Sequence, residues 1–167
     1  MESSNKSIHT TEKTAIMVDG GFFHRRAHAL WGSATPEDRA TQLHAYCIYQ
    51  LTQTPVNFEL YRIFYYDCPP IDTSVYHPLR VDMRMGLDIQ SVAFKKQVSQ
   101  IILISGDSDF VPAAKAARRE GIDFVLDPME ASINLDLQEH IDGLKSNSRF
   151  NPHYHKKSET QKPQNGK

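Results

Sequence analysis

The residues best able to do chemistry are aspartates that follow short apolar runs. Asp19 ends Thr14-Ala15-Ile16-Met17-Val18 and is followed by Gly20-Gly21. Asp107 and Asp109 follow Ile101-Ile102-Leu103-Ile104, within Ser105-Gly106-Asp107-Ser108-Asp109. Crowded carboxylates repel one another unless a cation joins them. Mg2+ and Mn2+ prefer oxygen ligands, and Mg2+ keeps several of its waters, so a few carboxylates suffice. The chemistry suggested is therefore the holding of a divalent cation. Each aspartate also has a plainer role open to it: Asp19 can cap a turn, and Asp107 or Asp109 can cap a following helix. One cap needs one acid, however, and the Ser-Gly-Asp-Ser-Asp run supplies more polar groups than a cap uses.

These acids reach one place only if the elements carrying them are neighbours. The run 14–18, stopped by Gly-Gly, reads as a buried strand meeting a tight turn, and 22–30 as a short helix or ordered loop. Thr35-Pro36-Glu37-Asp38 has the composition of a helix start, and Ala40, Leu43, Cys47 and Leu51 then recur at helical spacing. Phe58 to Tyr66 is rich in β-formers and is stopped by Asp67-Cys68-Pro69-Pro70; 71–80 reads as a loop. Val81 to Lys96 is expected to be a helix, with Val81, Met85, Ile89 and Val92 on one face. A third strand covers 101–104. A helix follows over 108–120, with Pro112 tolerated in its first turn and Gly121 as its stop. Ile122 to Leu126 is a fourth strand, and a weak helix is expected over 135–144. Short strands, apolar throughout and alternating with helices, predict an α/β, Rossmann-like three-layer fold with a mostly parallel sheet flanked by helices. In such sheets, sites form at the carboxyl ends of the strands.

The 81–96 helix brings two more acids. At ~100° per residue, Asp88 falls inside the stripe of Val81, Met85 and Val92. A carboxylate there is costly unless paired or bound to metal. Its plainer role is as a buried partner for an Arg or a backbone group. Asp82 lies at the edge of the stripe near the helix start, where compensation of the helix dipole is its plainer role.

Taken together, Ala15-Ile16-Met17-Val18-Asp19-Gly20, Val81-Asp82-Met83-Arg84 with Leu87-Asp88-Ile89, and Ile104 through Pro112 (ISGDSDFVP) resemble the NYN domain of the PIN-like nuclease superfamily. The likeness runs over 14–144, between a leader at 1–13 and a basic tail at 145–167 expected to be disordered. The resemblance implies a metal-dependent endoribonuclease acting mostly on single-stranded RNA. Asp19, Asp82, Asp107 and Asp109 would be the catalytic and metal-binding acids, Asp88 a fifth metal ligand, and Mg2+ or Mn2+ the cofactor. Ser105 or Ser108 would hold a phosphate or a metal-bound water. Two features depart from the family pattern. Phe22 stands where members often carry Asn, and the 68–81 connection is short. They support an alternative: an RNA-binding or regulatory module on the same fold with catalysis weakened or lost.

Phosphate contacts need Lys and Arg. The candidates are Arg25 and Arg26 after the first strand, Arg84, and Lys115 with Arg118 and Arg119, the last two also suited to a helix C-terminus. Phe22, Phe23 and Trp31 are able to stack on bases or to pack in the core. Net charge is −1 over 167 residues, but from Lys145 onward six Lys or Arg face a single acid. The body is therefore acidic, as suits a cation site, and the tail is basic. Mean hydropathy is −0.50 and no apolar run is long, which predicts no membrane helix. Met1 to Lys13 lacks the apolar core of a secretory signal, so a cytoplasmic location is expected. Cys47 and Cys68 have no CxxC spacing and read as reduced thiols; with His153 and His155 they match no compact zinc site. A phosphatase of the haloacid-dehalogenase type needs a second acid two residues after Asp19, where Gly21 stands. A homo-oligomer remains open.

Overall fold

The computed structural model of the protein describes residues 12–53, 58–67, 79–145, 147 and 149–152. The expected leader up to residue 11, the 71–78 loop, Cys68, and the tail from 153 with its two histidines lie outside the described residues.

The chain alternates strand and helix. In order come β1 (Glu12–Asp19), α1 (Gly20–Trp31), α2 (Pro36–Thr52), β2 (Phe58–Tyr66), α3 (Leu79–Phe94), β3 (Gln100–Ile104), a 3-10 turn (Ser108–Phe110), α4 (Val111–Arg119), β4 (Asp123–Asp127), α5 (Leu135–Gln138) and β5 (Gly143–Leu144). The five strands form one sheet in the order β2-β1-β3-β4-β5, and every pairing is parallel. From β1 the chain moves outward to β2, then returns to the other side of β1 to lay down β3. That reversal opens a crevice beyond the carboxyl ends of β1 and β3.

Both faces of the sheet are covered, as the unbroken apolar strands require. Ala15, Met17, Ile101, Leu103, Phe124 and Leu126 turn one way, toward Met85 and Ile89 of α3 and Ala113, Ala114 and Ala117 of α4. Ile16, Val18, Ile102, Ile104 and Val125 alternate to the other face, against Phe23 and Ala27 of α1 and Tyr46 and Cys47 of α2. Ile101 to Ile104 are fully buried; each such side chain contributes about 1.5–3 kcal/mol relative to exposure. Central β3 is thus anchored from both faces, and it carries the Ser-Gly-Asp run.

Two expectations need correction. Of the expected α2 stripe, Cys47 is buried and Leu43 and Leu51 pack against the core, but Ala40 is exposed and Arg39, Gln42, Tyr46 and Gln50 are buried as well. Polar residues can occupy that face because they have partners: Arg39 donates to Gln42 Oε1 at 2.8 Å and to the Gly32 carbonyl at 2.6 Å. The weak helix over 135–144 is one turn only, and Gly143–Leu144 instead pairs with β4. The cause lies in the competing backbone partners offered by the sheet: the Asp142 amide donates to the Phe124 carbonyl and the Lys145 amide to the Leu126 carbonyl, both at 2.8 Å. Packing also continues past Lys145. Phe150 is 7% exposed and lies among Trp31, Tyr46 and Tyr49.

Candidate metal centre

Three elements deliver acids to the crevice. Asp19 is both the last residue of β1 and the N-cap of α1; its Oδ1 accepts the Phe22 amide at 3.0 Å. The helix can begin this close to the sheet because residue 20 is glycine. A Cβ there would stand 2.6 Å from the Tyr65 hydroxyl oxygen and 2.8 Å from the Tyr66 carbonyl oxygen. Asp107 caps the 3-10 turn that leads into α4, its Oδ1 accepting the Asp109 amide at 3.0 Å. Pro112 falls at the start of α4, where its missing N–H costs nothing. Asp82 enters from the first turn of α3, which packs beside α4. The plain capping roles and the clustering of acids therefore coexist.

Ser105 connects the strands. Its side chain is fully buried, donates to Asp19 Oδ2 at 3.3 Å and accepts the Asp107 amide at 3.3 Å. Its hydroxyl is thus committed within the protein and holds the β1 acid against the start of the β3 loop. This replaces the expected contact of Ser105 with phosphate.

The closest group of acids is Asp82, Asp107 and Asp109, each offering a carboxylate oxygen within 4.8 Å of the others. Strand topology pointed to Asp19 with Asp107 and Asp109. The structure groups the helix acid Asp82 with Asp107 and Asp109 and links Asp19 to the Asp107 amide through Ser105. The electrostatics agree with crowding. Burial first, and then the charges of Asp107, Asp19 and Asp109, push the Asp82 carboxyl up to about 6. Two exposed acids, one partly buried acid and a fourth held nearby form an all-oxygen donor set, which suits a hard divalent cation.

The other expected residues separate. Asp88 is not in the trio; Tyr66 donates to its Oδ2 at 2.7 Å. That pairing was missed, because two-residue alternation along β2 gives the side Tyr66 faces but not the helix residue it meets. Arg26 directs Nε and Nη2 to the Met129 carbonyl at 2.9 and 2.8 Å, bracing the turn after β4. Met129 and Glu130 in that turn have φ of 47° and 63°, in the left-handed region. Arg25 is exposed, with Nη1 3.5 Å from where a Cβ on Gly21 would stand and Asp19 Oδ1 3.6 Å from the same point. Arg84 is exposed but lies roughly 200° around α3 from Asp82. Ser108 is partly buried in the 3-10 turn between the two acids. Lys115 lines a different depression, with Arg118, Arg119, Asp123 and Asp142, at the amino end of β4.

A further strand-end acid, Asp127, stands apart from the trio. It is fully buried at the end of β4 on the α2 face, away from the trio. It accepts from the Tyr46 hydroxyl at 2.7 Å, the Met129 amide at 2.9 Å, Asn147 at 3.4 Å and Gln50 Nε2. Burial raises its pKa against the pull of those donors. Nearby Cys47 is a free, buried thiol pushed up to about 12 by burial and then by Asp127, which leaves it unreactive.

The family model of the NYN domain matches residues 13–143. The chain belongs to the NYN domain family. The all-parallel five-stranded sheet flanked by helices agrees with the NYN and PIN-like architecture. NYN domains are a nuclease-like family whose nucleases typically depend on a divalent metal, and membership suggests an RNA substrate. No curated protein matches this NYN domain chain in sequence. Among its described residues, no helix is long and apolar enough to cross a membrane.

Proposed function

We propose that the protein is a Mg2+- or Mn2+-dependent endoribonuclease that hydrolyses phosphodiester bonds of single-stranded RNA. The supporting observation is the meeting of Asp82, Asp107 and Asp109 within 4.8 Å at the topological switch point of a nuclease-like fold. These three would hold the cation, with Asp19 nearby, fixed by Ser105 and the Phe22 amide. Bound there, a divalent cation supplies Lewis acidity toward the phosphate and offsets the charge of the acids. In the reaction, a water oxygen bonds to phosphorus while the phosphorus–oxygen bond to the leaving nucleotide breaks. The water gives up a proton and the leaving oxygen gains one. The carboxylates orient and help deprotonate the water, and exposed Arg25 faces the phosphate backbone. Ser108, Arg84 and Lys115 would take more distant backbone contacts, Lys115 the most remote.

The test is incubation of the purified protein with end-labelled single-stranded RNA in Mn2+, in Mg2+ and in EDTA. Internal cleavage that stops in EDTA and is lost in Asp107→Asn is expected. Cleavage undiminished by Asp107→Asn rejects the site.

A second reading is an RNA-binding module without cleavage, favoured by one observation: Phe22, standing where the resemblance leads one to expect Asn, fills the space over Gly106. RNA binding with no cleavage in any divalent metal would select it.

A further inference from the structure

We propose that Phe22 is the nucleobase platform of this site, stacking the unpaired base beside the phosphate held at the carboxylates. The inference rests on RNA being the ligand, and it names what part of the RNA the site reads.

Three aromatic residues follow β1, and the structure separates their roles. Phe23 is fully buried. Trp31 is enclosed by rings, with Phe23, Tyr46 and Phe150 all within 6.0 Å between centroids. Phe22 and Trp31 are both partly buried against the same core cluster, but it is the Phe22 ring that lies on the Ser-Gly-Asp loop. Its amide is bound to Asp19 Oδ1 at 3.0 Å, which fixes the backbone from which the ring projects. One edge of the ring lies on Gly106: Cε2, Cζ and Cδ2 are 2.8, 3.4 and 3.7 Å from the position of a Cβ at that residue. Only glycine leaves this room, and Gly106 directly precedes Asp107. The ring therefore touches the loop that carries two acids of the trio, while its own amide holds a fourth acid.

A nucleotide whose phosphate lies at the acids carries its base one ribose away, beside this ring. An aromatic face gives a base a sequence-tolerant surface, because every base has a π face. A base in a duplex already has its stacking partners, so the platform rewards unpaired RNA. The geometry thus points to single-stranded RNA, read without preference among the four bases. It also gives Phe22 a role of its own at the position of the family's Asn.

The test measures binding apart from cleavage. On an Asp107→Asn background, fluorescein-labelled single-stranded RNA of about ten nucleotides is titrated with protein carrying Phe22, Phe22→Leu or Phe22→Trp. Leucine keeps apolar volume against Gly106 but removes the π face, and tryptophan restores it. Thermal melts confirm that each variant is folded. Phe22→Leu is expected to weaken binding about tenfold, and Phe22→Trp to recover it. In a series of oligonucleotides each bearing one abasic residue, the leucine penalty disappears at one position. Equal binding by the Phe22 and Phe22→Leu proteins, or a penalty that persists at every abasic position, overturns the platform. A protein that cleaves RNA without a Phe22→Leu penalty loses only this inference. One that binds through Phe22 without cleaving loses only the nuclease reading.

Discussion

The buried Ser105 hydroxyl joins the Asp19 carboxylate to the Asp107 amide, with 3.3 Å on each side, across the two central strands. The position of the β1 acid is thereby set from β3. Ser105→Ala removes this link and leaves the fold intact. Groups that support metal ligands from behind typically matter 10–100-fold. Mn2+ affinity by calorimetry, and RNA cleavage with it, should fall by about tenfold. An unchanged affinity would show that Asp19 needs no support.

Asp82 gives the candidate site a pH dependence. Its carboxyl is pushed up to about 6, first by burial and then by its acidic neighbours. A folded-state pKa above the unfolded one means that the metal-free protein gains stability from this group at low pH. That gain is lost as pH rises through about 6. Thermal melts in EDTA should therefore show it fading over that window, and Asp82→Asn should flatten the slope. Cation binding runs the opposite way, strengthening as the proton leaves. Parallel melts in EDTA and Mn2+ check both signs.

Asp88 behaves differently from Asp82 although both lie on α3. With Tyr66 as its partner, Asp88→Asn should leave Mn2+ affinity nearly unchanged, while Asp82→Asn costs at least about tenfold. Equal losses in the two titrations would place Asp88 in the cation site after all.

Much of this was legible in the residues. Unbroken apolar runs at 14–18 and 101–104 indicated strands buried on both faces, and the acids after them lie at the carboxyl ends of those strands. What escaped was the part decided between elements. Strand ends alone indicated Asp19 with Asp107 and Asp109, whereas the closest trio takes Asp82 from α3, an acid that only the resemblance had added to the metal site. The two-residue strand β5 has too few residues for a periodicity and exists only through the backbone groups β4 offers. Buried Arg39, Gln42 and Gln50 widened the expected face of α2 beyond Leu43, Cys47 and Leu51, since polar residues with internal partners leave no apolar pattern to read.

Gly20→Ala should be destabilising even though alanine is the better helix former. The added Cβ meets the Tyr66 backbone oxygen at 2.8 Å, which cannot rotate away. A loss of about 1–3 kcal/mol by urea denaturation is expected, and a neutral result would mean that α1 can start elsewhere.

Phe150 tests where the folded unit ends. Phe150→Ala empties a space among Trp31, Tyr46 and Tyr49 and should cost about 3 kcal/mol, measured the same way. No change would return residues beyond Lys145 to the role of a dispensable extension.

Asp19 and Ser105 are 86 residues apart in the chain, and Asp82 belongs to the crossover between their strands. Contacts of such long range are the slowest to form, because the loop must close before anything is gained. The Asp19–Ser105 link therefore forms only when β1 and β3 have paired. Whatever the cluster binds, it binds only once the sheet is complete.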